Sequence, residues 1–386
     1  MTKLFEDIAR EPRELSNSLT YTLQEGRQAL EDAAHILKRS AHIYIVGIGS
    51  SWNAGLAVLS FFNATGRPAL LFDASELLHF TEVPGNAAMI VLSRSGKSTE
   101  IVQLLGKLAA SQTKIIAITN TPDSPLALQA DVVLKLMASF DHAVSISMYS
   151  ALAMTGALLA CASEDNLNSS LESQLQRSLS AAEAAIVPWQ KQLTGSAWLQ
   201  PQTMTYLLGR GASAATCHEG RLLWEEAAKT PASAMSTGGF RHGPQEVLRE
   251  GLRVALWIDA QRMRVQDLAL AADFRKFGVN LLLIGQGIPD DAGDLVLEIP
   301  AVLPEWQFLI DIIPIQIAAE RLAYLGNQDC DSFRICPYIV EEEGGLVKSN
   351  APVEEVARAD CEMKNSSLAP FGHYRPSAVG RVGSAN

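Results

Sequence analysis

Ile43-Tyr-Ile-Val-Gly-Ile-Gly-Ser-Ser-Trp-Asn-Ala-Gly55 decides how the rest of the chain is read. Four apolar residues, Ile43–Val46, run without polar alternation into a glycine turn and then into a helical stretch. A continuous apolar run suits a strand buried on both faces, and a strand that turns at once into a helix opens a parallel strand–helix alternation. The same texture recurs at Ala69–Phe72, Ala88–Leu92, Lys114–Thr119 and Val132–Leu136, each bounded by turn residues. A parallel α/β domain is therefore expected over 41–162.

Working outward, residues 1–40 read as a helical segment, with Leu19, Leu23, Leu30, Ala33 and Leu37 at near-helical spacing among charges. Residues 163–200 are polar and helix-prone, a helical connector. The alternation then resumes at Thr205–Leu208, Leu252–Ile258, Asn280–Ile284 and Leu295–Ile299, which marks a second domain over 201–343. Gly209-Arg-Gly211 stands 162 residues after Gly47-Ile-Gly49, and Asp294-Leu-Val-Leu-Glu-Ile stands 163 after Asp131-Val-Val-Leu-Lys-Leu. Each second anchor precedes a long apolar helix, Ser147–Ala162 or Glu305–Leu325. Two coincidences at nearly one spacing, in one element order, argue duplication. The fold class is α/β: two tandem doubly wound domains, each a parallel sheet flanked by helices, followed by a polar, aperiodic tail over 344–386.

Composition narrows the function. Of 386 residues, 48% are apolar and 19% charged, which excludes disorder over most of the length. The 31 basic and 42 acidic residues leave a net charge of −11, the wrong sign for a sequence-independent nucleic-acid binder. No stretch reaches the roughly 18–20 apolar residues of a membrane span, and the charged N-terminus is no signal peptide. The five cysteines (161, 217, 330, 336 and 361) lack CxxC spacing, so neither a metal site nor a disulfide framework is expected, and the cytoplasm is the expected location.

The chemistry lies in the turns. After the first strand, Gly47-Ile-Gly49-Ser50-Ser51 leads into a helix whose N-terminus is a natural anion site. A dinucleotide fingerprint would need Gly or Ala where Trp52 stands, although Asp73 at the end of the next strand is in keeping with one. After the third strand, Leu92-Ser93-Arg94-Ser95-Gly96-Lys97-Ser98-Thr99 resembles the end of a P-loop, but Val91 occupies the position of its first glycine. What remains is a cluster of hydroxyls at a second helix start. These bind a phosphate, or they cap the helix with no ligand. Neighbouring parallel strands put both turns on one sheet edge, which favours the phosphate. In the second half, Glu219 and Glu226 are seven residues apart, on one helical face, and His242 lies in a loop bounded by Gly and Pro. A carboxylate and an imidazole near a sugar phosphate are equipped to move a proton between C1 and C2.

Together, the tandem halves, the GIGSSWNAG turn, LSRSGKSTE, the EGRLLWEE helix and FRHGP resemble the double SIS (sugar isomerase) module. The likeness is greatest to the isomerase half of the glutamine:fructose-6-phosphate aminotransferase family and covers about residues 30–343. It implies a phosphate loop at Ser50, Ser51, Ser93, Arg94, Ser95 and Ser98, and a sugar-lining stretch at Val144 and Ser145. It implies Glu226 as the C1/C2 base and His242 as the ring-opening residue. That histidine reaches the site from the partner subunit in the family, so a homodimer is implied. The departures are equally specific. The family carries an amide-transfer domain ahead of this module, whereas here Thr2 follows Met1 and about 40 residues precede the module, so glutamine-dependent amination is not expected. Leu223 stands where the family has a lysine three residues before its base. Tyr338 aligns with the lysine that forms an imine with the sugar, and Lys348 lies farther along the tail. The resemblance therefore implies a glutamine-independent phosphosugar isomerase, or an aminosugar-phosphate isomerase/deaminase. It would act on a hexose- or hexosamine-6-phosphate with no cofactor, no metal, and no nucleic-acid or membrane partner. The alternative is a non-catalytic phosphosugar sensor.

Overall fold

In a computed structural model, which describes residues 1–199 and 204–346, the first sheet is built from β1 (His42–Gly47), β2 (Ala69–Asp73), β3 (Ala87–Leu92), β4 (Lys114–Thr119) and β5 (Val132–Lys135). Its order is β2-β1-β3-β4-β5, all parallel. The second sheet contains β6 (Thr205–Gly209), β7 (Ala232–Ser236), β8 (Arg253–Trp257), β9 (Asn280–Gly285) and β10 (Leu295–Glu298), in the order β10-β9-β8-β6-β7. Read from its other edge this is β7-β6-β8-β9-β10, the topology of the first sheet. The duplication inferred from two sequence anchors is thus matched element by element. β1 and β3 are buried along almost their whole length, as unalternated apolar runs require.

Helices in the first half are α1 (Lys3–Leu23), α2 (Arg27–Arg39), α3 (Ser50–Thr65), α4 (Ala74–Phe80), α5 (Thr99–Leu108), α6 (Pro125–Gln129), α7 (Ser147–Ser163) and α8 (Ser169–Gly195). In the second half they are α9 (Ser213–Glu226), α10 (Thr237–Phe240), α11 (Arg264–Lys276), α12 (Phe308–Asp311) and α13 (Ile313–Leu325). The layering follows from which strand face each set of apolar residues covers. Ile43, Ile45, Ile90 and Leu92 of the first sheet and Leu207, Ala255, Leu282 and Ile284 of the second belong to one continuous core. α1, α2, α3, α7, α8, α9, α12 and α13 supply most of the rest of it. The opposite faces pack into separate outer cores, one around Val46, Val91 and Leu104, the other around Leu256, Phe274 and Leu283. A shared helical layer between two sheets makes residues Met1–Glu343 a single compact unit.

Two expectations need correction. The helix expected over 305–325 is broken into a short 3-10 turn (Pro304–Trp306), α12 and α13. Pro314 has no N–H to give to the carbonyl four residues earlier, so a continuous helix loses a bond there. The edge strand β7 was not anticipated at all. The tail beyond Leu346, with Lys348 and Cys361, lies outside the described residues.

Candidate functional site

The strand order 2-1-3-4-5 places a topological switch between β1 and β3, whose following turns diverge to opposite faces and leave a crevice at the C-terminal sheet edge. A cavity of about 220 Å³ occupies that crevice. It is lined by Ile48–Ser51 from the β1–α3 turn, by Ser93, Arg94, Ser95, Ser98 and Glu100 from the β3–α5 loop, by Ala143 and Ser145 ahead of α7, and by Glu226 at the end of α9. Residues 333–340, a segment without helix or strand, lay Phe333 and Cys336–Val340 across its mouth.

Glycine geometry makes the turns. A Cβ on Gly47 would come within 2.6 Å of the Ser51 carbonyl carbon, so only hydrogen lets α3 begin this close to β1. Gly49, at φ +57, is the N-cap of α3 and offers no side-chain cap to the helix N–H groups. Gly96, at φ +62, would drive a Cβ into the Ser124 side chain. Gly96→Ala should therefore cost about 1–3 kcal/mol and lower the melting temperature by several degrees. An unchanged melting curve would mean the loop relaxes freely.

The serines of the β3–α5 loop accept local N–H groups and still leave their hydroxyl protons free. Ser93 Oγ accepts from the Gly96 N–H at 3.1 Å, and Ser95 Oγ accepts from the Lys97 N–H at 3.2 Å. Each hydroxyl proton stays available to a ligand oxygen. Ser98 is the N-cap of α5 yet makes no side-chain capping bond. The Arg94 guanidinium lies 4.1 Å from the Tyr338 ring centroid and donates to the Tyr338 carbonyl at 3.0 Å. Lys97 is exposed and lines no part of the cavity.

Two glutamates of α9 have different surroundings. Glu226 is half-buried at the cavity wall. Burial pushes its carboxyl up to about 7, against the smaller opposing pull of Arg94 and Lys229. Lys229 donates to the Glu226 carbonyl at 2.5 Å and to the Ser332 carbonyl at 2.8 Å, and so ties the end of α9 to the segment over the cavity. A second cavity of about 340 Å³, lined by Lys229, Phe333 and Cys336 among others, reaches Glu226 from its other side. Glu219 is fully buried and accepts from Ser50 Oγ and Asn53 Nδ2, both at 2.8 Å. Burial raises its carboxyl to about 8, more than those two hydrogen bonds lower it. The second half thus holds the first half's β1–α3 turn through Ser50.

The other expected residues divide. Val144 turns into the shared core, and its neighbours Ala143 and Ser145 line the cavity instead. Leu223 is likewise core. His242 is exposed in the turn after α10 and lies away from this chain's cavity. Tyr338 is at the site, its hydroxyl donating to the Asp141 carbonyl at 2.8 Å. Asp141 in turn caps α7 by accepting from the N–H groups of Ile146, Ser147 and Met148. From α1, Asp7 accepts from the His142 N–H and Glu14 from the Ser139 N–H. The N-terminal helix thereby steadies a loop that lines the cavity, a role that composition and periodicity do not reveal. In the second half the matching helix start is filled from within: buried Asp311 accepts from Ser213 Oγ at 2.6 Å and Thr216 Oγ1 at 2.7 Å. A carboxylate of the chain sits there, in keeping with a ligand site in the first sheet alone.

Two parallel five-stranded sheets of one topology, with a hydroxyl-lined crevice at the switch point of the first, define a tandem doubly wound α/β protein. Residues 36–162 match the family model of the SIS domain. The chain is 26% identical over 324 residues to the glutamine–fructose-6-phosphate aminotransferase (isomerizing) of Bacillus subtilis, covering 82% of this chain and 54% of that protein. It therefore spans about half the length of the curated relatives it matches. Its fold is shared with the C-terminal domain of glucosamine-fructose-6-phosphate aminotransferase from Francisella tularensis, at TM-score 0.76 and 21% identity over 86% of this chain and 98% of that one. It is also shared with glucosamine-6-phosphate deaminase from Thermotoga maritima, at TM-score 0.73 and 20% identity over 88% and 99%.

Proposed function

We propose that the chain is a phosphosugar isomerase, or an aminosugar-phosphate isomerase/deaminase, that moves a proton between C1 and C2 of a hexose- or hexosamine-6-phosphate. One observation carries this reading: a carboxylate tuned to about 7, Glu226, lines the same cavity as Ser51, Ser93, Ser95 and Ser98, whose hydroxyl protons are not taken up within the loops. A general base works best with a pKa near the working pH. Ser51, Ser93, Ser95 and Ser98 hold the phosphate oxygens, and the uncapped start of α3 adds its positive dipole end. This local supply of donors explains how a chain of net charge −11 accepts an anion.

Glu226 takes the proton from one carbon of the open-chain sugar, leaves an enediol or enolamine, and returns the proton to the other carbon. With a 2-amino sugar the product is a ketimine, and addition of water releases ammonia. His242 assists ring opening from a second copy of the chain in a homodimer, since in its own chain it lies away from the cavity. The expected setting is the cytoplasm. Among the described residues none that lines the cavity is a lysine, so no imine with the sugar enters this reading.

That lack of lysine also favours a second reading, a phosphosugar sensor that binds without turnover. Incubation in deuterated water with fructose, glucose and glucosamine 6-phosphates, followed by NMR, separates the two. Deuterium at C1 or C2 supports the enzyme; binding with no exchange overturns it in favour of the sensor.

A further inference from the structure

Glu100 stands on the first turn of α5, two residues beyond Ser98, and lines the same cavity. Its exposure is 9%, and its Oε2 is buried with no hydrogen-bond partner among the described residues. Ten other buried side-chain atoms share that condition, but none belongs to a residue lining this cavity. A buried carboxylate oxygen is costly to leave bare, and neither the cations of its loop nor the Thr99 N–H answers it; the donors left in the cavity are the serine hydroxyls that the proposed phosphate uses. Arg94 gives its guanidinium to the Tyr338 carbonyl and ring, the Thr99 N–H goes to the Val340 carbonyl at 3.0 Å, and Lys97 points to solvent. An acceptor placed beside hydroxyls that suit an anion repels any ligand oxygen that lacks a proton.

We propose that Glu100 is a ligand-binding residue that accepts a hydrogen bond from an O–H group at the phosphate end of the bound sugar phosphate. This rests on the phosphosugar reading above. The O–H belongs either to a singly protonated phosphate or to a sugar hydroxyl close to it. In the first case Glu100 makes the site select against proton-free anions such as sulfate; in the second it makes the site prefer the sugar phosphate over the bare anion.

The test compares the wild-type chain with Glu100→Gln, which keeps the shape and replaces one acceptor oxygen by a donor. Inorganic phosphate, inorganic sulfate and glucitol 6-phosphate are titrated, with thermal stabilisation as the readout. If the phosphate carries the proton, wild type prefers phosphate over sulfate by roughly tenfold or more, and the variant gains sulfate affinity until the preference collapses. Misfolding cannot produce that gain. If a sugar hydroxyl is the donor, the phosphate-to-sulfate ratio holds while glucitol 6-phosphate loses roughly tenfold relative to inorganic phosphate, with the melting temperature of the free protein unchanged. Unaltered ratios in both comparisons overturn the role of Glu100 and leave the phosphosugar reading intact. If wild type binds none of the three, the phosphosugar reading falls and the inference falls with it.

Discussion

Glu226→Gln is expected to reduce C1/C2 proton exchange by roughly a hundred- to ten-thousandfold while altering phosphosugar affinity only a few-fold. The substitution preserves volume and leaves every serine of the phosphate cradle in place, so binding should survive. What it removes is the group that can take and return a proton near neutral pH. The pH profile is the sharper readout. Burial holds the Glu226 carboxyl near 7. Wild-type kcat/KM should therefore rise with pH through that value as the carboxylate forms, and the variant's residual rate should lack that limb. Stability gives a control: at pH 8 the amide removes a half-buried charge, so the variant should melt no lower than wild type. Exchange that persists undiminished in Glu226→Gln would remove Glu226 from the reaction.

The fold was more legible than the site, for physical reasons visible in particular residues. Ile43–Val46 and Ala88–Leu92 announce buried parallel strands because both faces must be apolar, and such runs need no knowledge of partners. β7, Ala-Ser-Ala-Met-Ser, is an edge strand with small, half-buried side chains and no β-branched residue, so it has no such signature. The break at Pro314 was readable in principle, but the surrounding apolar periodicity masked it. In the candidate site, the serine loops stood out because two glycine-and-hydroxyl turns follow neighbouring parallel strands and so share one sheet edge, although hydroxyls at a helix start also serve as caps. The contact of Glu219 with Ser50 and Asn53 spans the two halves, and no local pattern encodes it. The segment over the cavity is aperiodic, and Tyr338 is held at the site by the Asp141 carbonyl and the Arg94 guanidinium, partners far away in sequence. Val144 and Ser145 show the finest limit: adjacent residues of one loop face the core and the cavity respectively, and a resemblance that marks both cannot tell them apart.

A second large effect concerns stability. Glu11, Glu219 and Asp311 lie on α1, α9 and α12, in or beside the helical layer shared by the two sheets, and all three are fully buried. Burial raises Glu11 and Glu219 to about 8 and Asp311 to about 7. Glu11 is the plainest case. Its Oε1 accepts from Ser150 at 2.6 Å and Gln316 at 3.2 Å, while its Oε2 has no partner among the described residues. In the unfolded chain these groups ionise near the ordinary carboxylate values of roughly 4. Between about pH 4.5 and 8 the folded chain therefore holds protons that the unfolded chain has released. Stability is fully present below that window and is lost as pH rises through it, by about 1.4 kcal/mol per pH unit for each such proton. Urea unfolding should show stability falling by several kcal/mol from pH 5 to pH 8. Glu11→Gln should be nearly neutral at pH 5 and stabilising at pH 8, where it spares the core an ionisation. A flat profile from pH 5 to 8, unchanged by Glu11→Gln, would contradict this. The two trends oppose each other across the same range. The proposed base must lose its proton near pH 7, while the layer that supports it is most stable with its own carboxyls protonated, so gains in rate above neutrality come with a weakening fold.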